Sequence, residues 1–263
     1  ALAMALSHSS ADVSIEELSK GVHLPKRKGS LQLELVAATR RYQRLPYNFV
    51  SQPDDLFRFL EHGLPVIVLQ NLGAKWLPIW HYAVVVGYDQ QRDRLVMRSG
   101  VTKRRVMGRR EFVRRWSASE YWGLVALEPE TAPPAARAVP FLESVSGHEA
   151  LGHWEVARVG YQAAVRRWPE NAYAHLGLGN AYLGLGAVDS AVRAYQSVLD
   201  IDAKNVPALN NLAFAYAKND DPRRALEIIE RAQAEIAGDE QLAADLRALE
   251  SDMASRLASQ RHD

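Results

Sequence analysis

Apolar positions change rhythm about halfway along the chain. In the first half they gather in short runs separated by glycines and polar turns. In the second half they recur every three or four residues, with many small residues among them. The first rhythm predicts strands with a few helices, and the second predicts helices throughout. Strands are expected at Tyr47–Val50, Pro65–Gln70, Trp80–Tyr88, Arg94–Arg98, Arg104–Met107 and 121–127. Helices are expected at 1–8, 14–20, 30–43, 53–62 and 109–116, with Ser30 and Asp54-Asp55 as capping or first-turn residues. Gly63, Gly73, Gly87 and Gly100 punctuate the turns. Val84-Val85-Val86 does not alternate, which predicts a strand covered on both faces. Helices followed by antiparallel strands make an α+β domain of residues 1–128. Pro129–Pro140, with Pro133-Pro134 and several alanines, is expected as a semi-rigid linker into an all-α domain of residues 141–263.

The helical half repeats itself. A shift of 34 positions carries Leu178-Gly179 onto Leu212-Ala213, Tyr182 onto Tyr216 and Ala191 onto Ala225. The reverse shift carries Ala191 to Ala157, Tyr195 to Tyr161 and Asn205 to Asn171, and Pro169 stands where a repeat ends. This resembles the tetratricopeptide repeat, a helical hairpin with small residues at close crossings. Gly179, Ala191, Ala213 and Ala225 let helices approach, while Tyr182, Tyr195 and Tyr216 fill the wedges between them. The first repeat, 138–171, is degenerate in its first helix. Residues 239–260 form a further amphipathic helix, with Leu242, Leu246, Leu249, Met253 and Leu257 on one stripe, which predicts a cap for the stack. Asn180, Asn210, Asn211, Phe214 and Lys218 are the first-helix residues expected to face the concave side. Amides there suit a peptide backbone, and Lys218 suits a carboxylate. The plainer alternative is a solvated helix surface.

The start of the chain is unusual. Ala1-Leu2-Ala3-Met4-Ala5-Leu6 is a run of strong helix formers with no N-cap, no basic flank and no cleavage-site pattern. It reads as the body of a helix whose first turn is missing, so the chain is expected to begin inside an element.

Composition narrows the chemistry. The 263 residues are 48% hydrophobic and 24% charged, in the range of ordinary globular domains. No apolar run is long enough to span a membrane. There is no cysteine, which excludes a disulfide scaffold, a zinc-thiolate site and a thiol nucleophile within these residues. The net charge of +1 conceals a polarity: residues 1–130 carry 19 basic and 13 acidic side chains, the remainder 13 and 18. Such a reversal fits two units with different surfaces. The densest basic stretch runs from Lys103 through Arg104, Arg105, Arg109, Arg110 and Arg114 to Arg115. A nucleic acid, an anionic lipid surface or an acidic partner would suit it; a solvated strand edge followed by a solvated helix face is the simpler reading. Stacking aromatics are not interleaved with the cations, so nucleic acid is not the expected partner.

His81 heads the longest strand, in Trp80-His81-Tyr82-Ala83-Val84-Val85-Val86-Gly87-Tyr88-Asp89. An imidazole at a strand head suits a general base acting toward a facing helix, and equally suits a local structural hydrogen bond. Gln32 reads as structural. His148 and His153, five apart, are off-register for one helix face, so no metal site is expected. No glycine-rich phosphate loop occurs, and no cofactor is expected.

The order of helices, Gly29-Ser30-Leu31-Gln32, Pro65-Val66-Ile67-Val68-Leu69 and the His81 strand resembles the papain-like cysteine peptidases. More narrowly, it is similar to the double-glycine leader (bacteriocin-processing) peptidase family, in a bacterial cell-envelope branch that carries C-terminal tetratricopeptide repeats. The resemblance implies a papain-like domain whose front is missing, with the nucleophilic cysteine a few residues before Ala1. It implies His81 as general base and Trp80 as its shield. The orienting carboxylate of the family is expected on the strand after the histidine, and Ser99 is the nearest residue to that position in Leu95-Val96-Met97-Arg98-Ser99-Gly100. The function implied is peptide cleavage or binding in the periplasm or cell envelope, with a lipid anchor upstream and a peptide or protein partner in the repeat groove. The alternative is a non-catalytic scaffold in which the peptidase-like fold holds a peptide and the repeat groove docks a partner.

Overall fold

A computed structural model describes residues 1–9, 11, 13–14, 16, 18, 31–100, 102–236 and 240–259. Ser30, most of the expected helix at 14–20 and the side chain of Lys103 lie outside the described residues. The chain divides into two compact units, Ala1–Val145 and Ser146–Asp263.

The first unit is built on a six-stranded antiparallel sheet. Its elements in order are α1 (Leu2–His8), α2 (Gln32–Arg41), β1 (Leu45–Phe49), α3 (Pro53–Glu61), β2 (Val66–Asn71), β3 (Trp80–Asp89), β4 (Arg94–Ser99), β5 (Thr102–Gly108), α4 (Arg109–Trp116) and β6 (Gly123–Leu127). The strand order is β1-β6-β2-β3-β4-β5. The expected strands all form, with ends moved by a few residues, and helix 109–116 forms over its whole expected length. Ser9 closes α1, its hydroxyl donating to the Leu6 carbonyl at 2.9 Å.

Strand alternation gives the sheet two buried faces. On one, Ile67, Leu69, Val84, Leu124 and Ala126 pack against Leu2, Ala5 and Leu6 of α1 and Leu35 and Ala38 of α2. The other carries an aromatic chain. Tyr47 meets Phe59 edge-on at 4.8 Å, Phe49 meets Trp116 at 6.3 Å, and Trp116 meets Phe112 at 5.4 Å. Gly123 is required there, because a Cβ would stand 2.2 Å from the Phe49 ring. Val84 and Val85 meet the expectation of a strand covered on both faces, and Val86 departs from it. Val84 and Val85 are buried, but the register slips between Val85 and Gly87, and the intervening Val86 is 41% exposed. A β-bulge, not double-sided burial, breaks the alternation at Val86.

Asp55 is fully buried near the start of α3 and accepts from two guanidinium groups, Arg58 and Arg137, the latter at 2.7 Å. The Arg137 backbone N–H also donates to the Tyr47 hydroxyl at 3.2 Å. Ala135 and Ala136 are buried beside it. The Pro/Ala segment expected as a linker is therefore held against the first unit in its latter part, because a buried carboxylate needs its counter-ions.

The second unit is a stack of helical hairpins, led into by α5 (Ala138–Glu149). Its members are α6 (Trp154–Arg167), α7 (Ala172–Gly184), α8 (Val188–Ile201), α9 (Val206–Lys218), α10 (Pro222–Glu235) and α11 (Glu240–Ser259). Three helices start with a side-chain cap: Asn171 accepts from Ala174 N–H, Asn205 from Ala208 N–H and Asp221 from Arg224 N–H. Asn171 and Asn205 are 34 apart, and the cross-hairpin bonds share that spacing: Gln162 donates to Tyr182 at 2.8 Å, and Gln196 to Tyr216 at 2.9 Å. Aromatic rings lie on bare glycines. A Cβ at Gly177 would stand 2.2 Å from the Tyr161 ring, one at Gly179 2.4 Å from Tyr195, and one at Gly184 2.3 Å from Trp154. The cap helix buries Leu246 and Met253, with Leu242 and Leu249 packed beside them.

Gly179→Ala is expected to destabilise the repeat unit by about 1–3 kcal/mol, because the buried Tyr195 ring has little room to retreat. Urea titration followed by helical circular dichroism checks this. A change near zero would mean that the ring shifts at little cost.

Candidate active site and repeat groove

Three side chains on one face of the sheet define the first site. Gln70 of β2 lies directly opposite His81 of β3, and Ser99 of β4 lies opposite Ala83, two residues along from His81. Directly opposed residues share a face, so Gln70, His81 and Ser99 do as well. His81 Nε2 stands 2.7 Å from Ser99 Oγ. In the tautomer with its proton on Nε2, the ring donates to the hydroxyl and Nδ1 keeps its lone pair. Nδ1 has no hydrogen-bond partner among the described residues.

The surroundings disfavour the charged ring. Burial is the main cause lowering the His81 pKa below its usual 6.5, followed by the Arg105 cation and then the amino group at the head of α1. Arg105 faces Met97 across β4 and β5, which puts it on the same face as Ser99 and His81. Gln70 was not foreseen. It is buried, and its Nε2 has no hydrogen-bond partner among the described residues. The only signal in the sequence is a polar residue closing the apolar strand Val66-Ile67-Val68-Leu69. Trp80 does not shield His81 as expected. Alternation turns it to the opposite face, where it is half-exposed, and no ring contact with His81 occurs among the described residues. Tyr82, edge-on to Trp122 at 5.8 Å, has its phenol pushed up to about 12 by burial.

The second site is a groove of about 880 Å³ in the repeat unit. All five expected residues line it: Asn180, Asn210, Asn211, Phe214 and Lys218. The three asparagines belong to a connected polar network. Asn180 donates to Glu149 at 2.8 Å and accepts from the Tyr195 hydroxyl and from Asn211, both at 2.9 Å; Asn210 donates to Asn211 at 3.2 Å. Glu149 also accepts from Tyr161. Burial, then the acidity of Glu149, raises the Tyr161 hydroxyl far above its ordinary value. Lys218 Nζ lies 5.4 Å from the centre of the Phe214 ring. Asp245 and Asp252 of the cap helix also line the groove.

His148 and His153 do meet, contrary to the register argument, with their Nδ1 atoms 3.2 Å apart. His153 lies beyond the end of α5, so helix spacing does not govern the pair. No group of three or more metal-ligating side chains occurs among the described residues. The basic stretch divides between the edge strand β5 and helix α4, where Arg115 pairs with Glu111 at 2.6 Å and Arg109 lies over the Phe57 ring at 5.6 Å.

Residues 1–123 match the model of the Peptidase_C39 like family. Residues 143–206 and 185–249 each match a tetratricopeptide repeat model. No curated protein matches the chain. Among solved structures, the chain is similar to the Yersinia enterocolitica type III secretion chaperone SycD in complex with a peptide of the translocator YopD. That match has 18% identity and TM-score 0.43 over 44% of this chain and 91% of that one. It is also similar to the TPR2B domain of yeast Sti1 in its complex with pHsp70, at 19% identity and TM-score 0.43 over 45% of this chain and 97% of that one.

Removing the neighbouring cation should raise the His81 pKa. In Arg105→Gln the midpoint is expected to move up toward 6.5, read from the imidazole carbon-bound protons by NMR titration. The folded pKa lies below the unfolded one, so below pH 6.5 the unfolded chain binds more protons at this site. Stability therefore rises with pH through that window, and Arg105→Gln should flatten the rise.

Proposed function

We propose that the chain handles peptides in the bacterial cell envelope, through a cysteine-peptidase-like domain joined to a tetratricopeptide protein-interaction module. The observation that carries the reading is the His81–Ser99 pair with Nδ1 left open. A general base needs a held ring with one free nitrogen, and the Ser99 hydroxyl holds the His81 ring from its Nε2 side while accommodating either tautomer. A thiolate supplied from residues preceding α1 would sit at a helix N-terminus, where the macrodipole lowers its pKa. His81 would take the thiol proton on Nδ1 and return it to the leaving amine. These 263 residues contain no cysteine, so a thiol nucleophile would have to come from outside them. The envelope setting is supported by the resemblance of the sequence to that branch of peptidase-like proteins.

The repeat groove would hold a partner segment in extended or helical form. Its amides present donors and acceptors, Phe214 a stacking surface and Lys218 a cation. A second reading is favoured by one observation: Ser99 stands where a carboxylate would best hold an imidazolium. On that reading the peptidase-like fold binds peptide without cutting it.

The test is labelling of the natural full-length protein with a thiol-directed peptidase probe. Labelling that drops roughly 100-fold or more in His81→Ala, and less in Ser99→Ala, supports catalysis. Labelling indifferent to His81→Ala, or no labelled residue upstream of α1, leaves the binding reading. For the groove, Asn180→Ala combined with Asn211→Ala is expected to weaken partner-peptide affinity roughly tenfold by calorimetry, from about 1.4 kcal/mol of lost hydrogen bonding.

A further inference from the structure

The connection from β2 to β3 presents apolar side chains to solvent instead of burying them. Trp76 is 84% exposed, Leu77 59%, Ile79 58% and Trp80 49%. The loop is nevertheless tightly closed. Asn71 Oδ1 accepts from Gly73 N–H at 2.8 Å and from Ile79 N–H at 2.9 Å, and Leu72 N–H donates to the Ile79 carbonyl at 2.8 Å. Gly73 admits no side chain, since a Cβ would stand 2.3 Å from the Leu77 carbonyl oxygen. Closed backbone bonding thus holds the exposed rings outward.

On the β3–β5 side of the loop the charge has one sign. No acidic residue occurs between Glu61 and Asp89, or between Asp93 and Glu111. Those four acids all belong to the far end of the strands, away from the β2–β3 loop and the β4–β5 turn. Lys75 in the loop, with Arg98 and Arg104 on the neighbouring strands, is exposed and makes no ion pair among the described residues. Glu120, which precedes β6, lies across β2 from this wing.

We infer that the β2–β3 loop and the basic sheet wing beside it dock on an anionic phospholipid bilayer. A peptide partner is the poorer fit. A ring lining a groove is partly covered by the groove walls, whereas Trp76 is 84% exposed. Tryptophan prefers the headgroup level of a bilayer, and apolar neighbours enter the acyl boundary. Lysine and arginine nearby meet lipid phosphates with their stems along the apolar region. Among the described residues no helix is long and apolar enough to cross a membrane.

Co-sedimentation of the full chain with vesicles tests this. Binding to equimolar phosphatidylglycerol and phosphatidylcholine, but only weakly to phosphatidylcholine alone, and falling with added salt, is the expected result. Trp76→Ser with Leu77→Ser should weaken it roughly tenfold or more. Lys75→Gln and Arg98→Gln should each weaken it roughly fivefold. These side chains are solvent-facing, and an unchanged thermal melt shows that the variants fold. No binding to anionic vesicles overturns the inference, and so does binding that the loop variants leave intact. A loop that binds a peptide but not vesicles also overturns it and marks a protein-docking surface.

Discussion

The register between β3 and β4 is the constraint on which the first unit depends. In an antiparallel pair a slip of one residue moves every side chain to the other face. Ala83 opposite Ser99 and Val85 opposite Met97 put His81 and Ser99 on one side, close enough for a 2.7 Å contact. Beyond Val85 the bulge absorbs one residue, so Tyr88 comes opposite Leu95. Tyr88 then meets Phe57 of α3 at 5.0 Å. Without the bulge, a strand that presents His81 to Ser99 would turn Tyr88 away from that helix. The exposed Val86 is the local cost of satisfying both ends of the strand.

The second unit is set by a different constraint, flat rings on bare backbone. Tyr161 on Gly177 and Tyr195 on Gly179 bring neighbouring helices closer than a Cβ would permit. The same tyrosines carry their hydroxyls to the concave side, where Tyr161 bonds Glu149 and Tyr195 bonds Asn180. Core packing and groove polarity are therefore coupled through single residues. This coupling holds the groove amides in fixed orientation before any partner arrives, which lowers the entropic cost of binding.

Much of this was legible in the sequence, where period and residue type agree. Helix 109–116, the sheet strands, the repeat spacing and the five groove residues all follow from alternation or from the 34-residue shift. What escaped depended on contacts distant in sequence. Asp55 reads as an ordinary first-turn acid; only Arg137, 82 residues on, makes it the buried anchor of the Pro/Ala segment. Gln70 reads as the end of a strand until the register places it opposite His81. Helix spacing misled for His148 and His153, because the turn between two helices brings their rings together. The β2–β3 loop carries no distinctive sequence signal, because isolated apolar residues in turns are common and exposure is a property of the folded chain.

The electrostatics of the first site bear on what chemistry it supports. A thiolate–imidazolium pair forms when the environment favours a charged ring, normally through a carboxylate behind it. Here the partner behind the ring is a neutral hydroxyl, and burial and Arg105 both press the ring toward its neutral form. A thiol facing His81 would thus meet a base with a free lone pair but little tendency to hold the proton. The Arg105 cation would also lower the thiol's own pKa, in partial compensation. The same wing of the sheet that bears Arg105 carries the exposed cations Arg98 and Arg104, so a single acid-free stretch of sequence shapes both the acidity of His81 and the outward charge of the unit.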